Sequence, residues 1–249
     1  MNTSSKELQL WLEHRSGREI QGSLLSRAET RALELNKTDP QFLETKGKSE
    51  INCFVGFIDL AGFTSHVHGQ SNDHIYQYVS PFLKAIVDAV SSADGLVDKT
   101  IGDEVMFAFP DMSEEGAFPA KFNFTKFINS LLSIQSNLGK SYRFRFGISY
   151  GKLLLQSVDG TNYQEWTLFG EEVAIAKRVM GHEFLKNPQP IAGALARPSH
   201  VGESFDLPFN FLQVHEDWWI YKTMTPEVFP GVGELRWLLL TPASTHDSV

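Results

Sequence analysis

Two aspartates carry the first suggestion of chemistry in this chain. Asp59 closes the apolar run INCFVGFIDL (residues 51–60), and Asp103 sits in the Gly-Asp turn of GLVDKTIGDEVMFAF (residues 95–109). A turn carboxylate is ordinarily just solvated, so neither residue says much alone. Together they form a hard oxygen donor set of the kind Mg²⁺ or Mn²⁺ takes, with phosphate oxygens and water completing the shell. Two such ions can activate an attacking hydroxyl and offset phosphate charge. Just after Asp59, the segment Ala61-Gly62-Phe63-Thr64-Ser65 turns into a helical pattern. A glycine-containing turn into a helix exposes backbone N–H groups, which suit a phosphate.

The elements that must position these residues can be read from the spacing of apolar side chains. Residues 51–60 form a short, nearly continuous apolar run rich in β-branched and aromatic residues, as a buried strand requires. Ile75, Val79, Phe82, Leu83, Ile86, Val87 and Val90 recur at helical spacing, with a stop expected at Asp94-Gly95. Pro81 within that pattern predicts a kink or two helices meeting. Leu96–Val97 and Val105–Phe109 flank the Gly-Asp turn as a hairpin, with Lys99 and Asp103 near its tip. PDMSEEGAFPA reads as a loop, and residues 122–138 as a helix whose inner face is Phe124, Phe127, Ile128, Leu131, Leu132 and Ile134. YRFRFGISY (residues 142–150) alternates as a strand, with Arg143 and Arg145 opposite Phe144 and Phe146; the arginines are expected to face solvent or a partner subunit. Gly151 is expected to turn that strand into residues 152–157. A short strand ending at Gly170 precedes a helix from Glu171, whose first-turn glutamates suit the helix dipole. From Pro188 onward, proline and glycine punctuate aromatic clusters (Trp218-Trp219, Trp237), and late strands completing the sheet are expected, with a frayed tail after Pro242. Residues 6–35 carry a helical stripe, and residues 36–49 read as a connector. The order predicts an α+β domain, its mostly antiparallel sheet covered by helices on one face.

Composition narrows the function classes. With 249 residues, 42% hydrophobic and 21% charged, the chain is expected to fold around a sizeable core. A net charge of −8 argues against nucleic acid as the main partner. The single cysteine, Cys53, permits no internal disulfide, fits a reducing cytosol and is expected as a buried strand residue. The N-terminal residues lack a basic start and apolar core, and no apolar run reaches the roughly 18–20 residues of a membrane span. A cytoplasmic protein without a membrane partner is expected.

In chain order, FVGFIDLAGFTS, GLVDKTIGDEVMFAF, RFGISYGKLLL and WTLFGEEVAIAKRV resemble the successive motifs of class III nucleotide cyclases. The resemblance runs from about residue 53 to 182. It implies a class III cyclase-like (ferredoxin-like or palm-type) α+β fold and a symmetric homodimer with active sites at the interface. It also implies conversion of a nucleoside triphosphate to a 3′,5′-cyclic monophosphate and pyrophosphate. By the same resemblance Asp59 and Asp103 hold two Mn²⁺ or Mg²⁺ ions. Leu60, Ala61, Gly62, Phe63 and Thr64 form the phosphate loop, and the opposite protomer supplies Lys99 and Thr167 to read the base. Arg178 is implied as the catalytic residue that stabilises charge on the phosphate. One position departs: the ribose-orienting asparagine of the family is Ala174 here, and Ala cannot hydrogen-bond a sugar.

Lysine can only donate, whereas a threonine hydroxyl donates or accepts. The Lys99–Thr167 pair therefore suits adenine, or a uracil or cytosine carbonyl, and hydrogen-bond logic on the sequence leaves the base open. Ala174, the stand-alone format and the N- and C-terminal extensions make the chain more similar to the pyrimidine cyclases of bacterial anti-phage defence (Pycsar systems) than to receptor-linked adenylate cyclases. That similarity implies UTP, ahead of CTP, as substrate and cyclic UMP as messenger. An adenylate cyclase and a catalytically silent nucleotide-binding module are the alternatives. Three segments are expected: an N-terminal helical extension and connector (1–49), a catalytic domain (50–187), and C-terminal strands completing the domain with a tail (188–249).

Overall fold

A computed structural model describes residues 49–110, 118–160, 163–188, 190–199 and 219–243. The expected N-terminal helix (6–35), most of its connector, most of the 110–120 loop, Trp218 and nearly all of the tail lie outside the described residues.

Strand β1 (Ser49–Leu60) is central. It pairs antiparallel with β3 (Glu104–Pro110) on one side and with β4 (Phe144–Gly160) on the other. Outside β3 lies β2 (Leu96–Ile101). Beyond β4 come β6 (Ile191–Pro198), β9 (Gly233–Pro242) and β7 (Trp219–Thr223), while β5 (Tyr163–Phe169) hangs from β4 and β8 (Glu227–Phe229) from β9. The β4–β6 pairing is parallel; every other one described is antiparallel. The late strands thus extend the same sheet, as expected.

Among the described residues the α-helices are α1 (Phe63–Val67), α2 (Asn72–Ser92), α3 (Phe118–Leu138) and α4 (Glu171–Met180). They cover both faces of the sheet, which corrects the one-face expectation. Along β1, Phe54, Ile58 and Leu60 pack with Val79, Phe82 and Ile86 of α2 and Phe124, Phe127 and Leu131 of α3. Cys53, Val55 and Phe57 pack instead with Ala176 and Met180 of α4. Strand side chains alternate between faces, so a strand covered on both sides must be apolar throughout. The first face is aromatic: Phe54 stacks on Phe124 at 4.6 Å between ring centroids, and Phe107 meets Phe127 at 4.7 Å. Each such phenylalanine contributes on the order of 1.5–3 kcal/mol by burial.

Three local expectations are corrected. Pro81 is exposed within an unbroken α2, so no second helix begins there. The left-handed residue ending α2 is Asp94 (φ 56°) rather than Gly95. Finally, β4 continues through Gly151 without turning, and the space a side chain would fill there is taken by Glu172 of α4. Cys53 is fully buried, as expected.

Candidate active site

Asp59 closes β1 on the face that carries Phe57. Its register partner on β4 is Arg145, and the two form a bidentate pair. Arg145 Nε donates to Oδ1 at 2.8 Å and its Nη2 donates to Oδ2 at 3.1 Å. This ion pair, chiefly its hydrogen bonding, raises the Arg145 pKa further. The expectation that Arg145 faces solvent or a partner subunit is therefore corrected. Alternation along its own strand puts it opposite Phe144 and Phe146, but the β1–β4 register decides what stands across from it.

The β2–β3 hairpin brings in the second carboxylate. Gly102 turns with φ 62°, a conformation that side chains disfavour. Asp103 Oδ2 then accepts a hydrogen bond from the Leu60 backbone N–H at 3.2 Å. The hairpin tip is thus fastened to the end of β1, beside Asp59. Burial pushes the Asp103 pKa up to about 6; the Asp59 charge adds to this, while amide hydrogen bonds oppose it. Among the described residues no group of three or more His, Cys, Asp or Glu side chains could hold a metal ion. A pair of carboxylates still fits Mg²⁺ or Mn²⁺, which take hard oxygen donors and keep positions for water and phosphate.

Within the expected phosphate loop, the Leu60 amide is engaged by Asp103 and the Ala61 amide by the Arg143 carbonyl at 2.8 Å. Gly62 (φ 78°), Phe63 and Thr64 lead into α1, and first-turn amides of a helix have no intrahelical partner. The stretch able to face an anion is therefore shorter than the five residues expected.

A second cluster joins β2 to β5. Lys99 Nζ donates to Thr167 Oγ1 at 3.0 Å, and Thr167 Oγ1 donates to Asp98 Oδ2 at 3.1 Å. Lys99 Nζ also lies 3.3 Å from that Asp98 oxygen. Asp98 is fully buried at a bulge between Val97 and Lys99 in the β2–β3 register. Bulges re-aim side chains, and this one accompanies a carboxylate turned inward beneath the Lys99–Thr167 pair. The same hairpin therefore serves two clusters, Asp103 at the end of β1 and Lys99 at β5.

Helix α4 carries Ala174 and Arg178, both exposed and one turn apart. The Arg178 guanidinium lies beside Gly231, between β8 and β9. Among the described residues it makes no hydrogen bond or ion pair with either cluster. Its neighbour Lys177 pairs with Glu104 of the hairpin and lies 5.4 Å over the Phe57 ring. The sheet-facing side of α4 sits close because Gly147 of β4 has no side chain. A Cβ there would come closer than 3.0 Å to the Ala176 carbonyl and the Met180 amide.

A carboxylate at the end of β1 and another in the β2–β3 turn, with a Lys–Thr pair reached from the same hairpin, set the frame for comparison with known proteins. The family model described as the adenylate and guanylate cyclase catalytic domain matches residues 45–183. The chain belongs to this cyclase family. An adenylate cyclase of Anabaena cylindrica is 27% identical over 144 residues, 56% of this chain and 29% of the relative. A terminal-differentiation-specific adenylate cyclase of Dictyostelium discoideum is 29% identical over 126 residues, 49% of this chain and 6% of the relative. The chain thus spans less than a third of either relative. Among solved structures, the adenylyl cyclase CyaB of P. aeruginosa superposes with a TM-score of 0.59 at 16% identity, covering 78% of this chain and 95% of that one. The guanylate cyclase domain of RhGC from Catenaria anguillulae, solved with GTP, gives 0.59 at 14% identity, covering 78% and 98%. These likenesses establish the class III cyclase fold, an α+β domain with a mostly antiparallel sheet.

Two residues of the cyclase domain's clusters escape a reading of the sequence as a source of function. Arg145 is hidden because its role depends on the strand opposite. Asp98 leaves little signal: it stands between Val97 and Lys99 in a strand whose other residues are partly or fully exposed, and a buried aspartate is unusual enough to show only once the fold is in hand.

Proposed function

We propose that this cyclase domain converts a nucleoside triphosphate to its 3′,5′-cyclic monophosphate and pyrophosphate. The observation that carries the reading is the Asp103–Leu60 hydrogen bond, which brings the hairpin carboxylate to the end of β1 beside Asp59. Asp59 and Asp103 would hold Mg²⁺ or Mn²⁺, two per site, with Arg145 balancing the carboxylates before the metal enters. When bound, such ions supply charge neutralisation of the triphosphate and activation of the ribose 3′-hydroxyl. The loop through Gly62, Phe63 and Thr64 binds phosphate oxygens, and Leu60 and Ala61 fix its entry. Lys99 and Thr167 read the base. Arg178 stabilises charge developing on the phosphate during in-line attack. Tethering attacker and target within one substrate supplies much of the orientation.

A homodimer with shared sites explains why Asp103 and Lys99 occupy separate clusters, and why Arg178 contacts neither in its own protomer: each site draws on both chains. Residues 50–187 are the catalytic unit in this reading, strands within 188–249 complete the domain ahead of a tail, and 1–49 precede it. UTP with cyclic UMP as an anti-phage messenger is the substrate reading drawn from Ala174 and the extensions. The names of the curated relatives favour ATP instead.

Incubating the purified chain with Mn²⁺ and each of ATP, CTP, GTP and UTP, with chromatographic separation of products, tests the proposal. A cyclic monophosphate from at least one nucleotide is expected. Nucleotide binding without any cyclic product would overturn the catalytic reading in favour of a binding module.

A further inference from the structure

The hydrogen-bond directions around Thr167 restrict what the base pocket can recognise. Lysine has no acceptor, so the 3.0 Å contact from Lys99 Nζ uses a Thr167 lone pair. A hydroxyl has one proton, and Thr167 gives it to Asp98 at 3.1 Å. Asp98 is 0% exposed and cannot be reached by a ligand. What remains for a base is one lone pair on Thr167 and an N–H of Lys99. The threonine, able in principle to donate or accept, is held as an acceptor by the carboxylate behind it.

Depth then orders the pair. Thr167 is 8% exposed, whereas the Lys99 side chain is 31% exposed. The exocyclic group at C6 of a purine or C4 of a pyrimidine projects furthest from the sugar along the Watson–Crick edge, so it reaches the deeper partner, and the adjacent ring nitrogen meets the shallower one. An exocyclic amino group donates to Thr167 while an unprotonated ring nitrogen accepts from Lys99. Adenine (N6 and N1) and cytosine (N4 and N3) present that order. Guanine and uracil present the reverse, a carbonyl oxygen against the Thr167 lone pair and a ring N–H against the Lys99 ammonium. Turning the hydroxyl to suit them takes a donor away from a buried carboxylate, which is costly.

We propose that Asp98 is a specificity-positioning residue that commits this pocket to 6-aminopurines and 4-aminopyrimidines, placing ATP and CTP ahead of GTP and UTP and so setting aside the UTP preference drawn from Ala174 and the extensions. The inference rests on Lys99 and Thr167 being the base-reading pair of the proposed function. It goes beyond that reading by assigning the choice to a residue that touches no substrate.

Binding is measured with 3′-deoxynucleoside triphosphates, which lack the attacking hydroxyl and cannot be cyclised. The full chain, loaded with Mn²⁺ and a fluorescent nucleotide, is titrated with the 3′-deoxy forms of CTP and UTP, and of ATP and ITP. Each pair differs by an exocyclic amino group against a carbonyl, with the matching change at the ring nitrogen. The expected preference for the amino member is about a hundredfold or more, as in sites whose buried polar groups an analogue leaves unpaired. Asp98→Val suits a strand and frees the Thr167 hydroxyl to donate; it is expected to shrink both ratios by about tenfold or more. A structural role alone would weaken all four ligands together and leave the ratios intact. Equal binding within either wild-type pair, a preference for UTP, or unchanged ratios in a folded Asp98→Val variant would overturn the inference. If that variant does not fold by circular dichroism, the wild-type ratios decide alone. Selective binding with no cyclic product from the four natural nucleotides would remove the catalytic proposal and leave this one standing. Failure to bind any nucleotide would remove both.

Discussion

Replacing Arg145 with methionine should separate the stability of the carboxylate cluster from its affinity for metal. Methionine keeps much of the apolar stem and removes the guanidinium. The ion pair it breaks is bidentate, with side chains 22% and 12% exposed for Arg145 and Asp59. Breaking a fully buried pair costs about 3–5 kcal/mol, and an exposed pair is worth about 0–1 kcal/mol. Residual solvent screening places this one between them, at roughly 2–3 kcal/mol. For a chain of this size that corresponds to a drop in Tm of roughly 4–12 °C without metal. With Arg145 gone, Asp59 and Asp103 face each other without a counter-charge, so Mn²⁺ should bind the variant more tightly. Metal at about a hundred times Kd returns ~2.7 kcal/mol, which recovers most of the loss. Thermal unfolding of wild type and Arg145→Met, each with EDTA and with Mn²⁺, provides the assay. A variant Tm within about 1 °C of wild type in EDTA would mean that the pair contributes almost nothing. An equal metal-induced shift in both proteins would refute the competition between guanidinium and cation.

Three further outcomes follow from the same geometry. A Lys99→Ala chain mixed with an Asp103→Ala chain should regain about a quarter of wild-type turnover, because half the dimers are mixed and each has one intact site; no recovery after subunit exchange would exclude sites shared between protomers. Raised to about 6, the Asp103 pKa makes Mn²⁺ affinity fall as pH drops below that value, since only the carboxylate ligates. The limit is about tenfold per pH unit, and calorimetric titration between pH 5 and 8 would show a flat profile if Asp103 were not a ligand. Gly147→Ala should push α4 off the sheet, costing about 1–3 kcal/mol by overpacking. Denaturant unfolding checks that cost, and wild-type stability would show that the close approach of α4 is dispensable.

Much of the fold is legible because neighbouring residues encode it. The run from Cys53 to Ile58 has no polar side chain, and a strand covered on both faces needs that pattern. The Gly-Asp turn declares its hairpin because Gly102 accepts a positive φ, and the α4 stripe of Ala176, Val179 and Met180 follows helical periodicity. Less visible is which face each helix covers. An apolar stripe records that a helix is buried without recording against what, so α4 on the far side of the sheet is a fact of topology.

The candidate site divides along the same line. Sequence by itself determined the residue types: Asp59 and Asp103 as hard donors, Lys99 and Thr167 as polar groups on strands, Arg178 one helical turn beyond Ala174. These follow from local pattern and motif order. Tertiary structure alone decided that Arg145 neutralises Asp59, since residues 86 positions apart are opposed only by the β1–β4 register. It alone decided that Asp98, 69 positions from Thr167, accepts that hydroxyl's hydrogen bond. A hydrogen bond has a direction only once both partners are in place, and the donor and acceptor order of the Lys99–Thr167–Asp98 cluster is therefore a property of the folded chain.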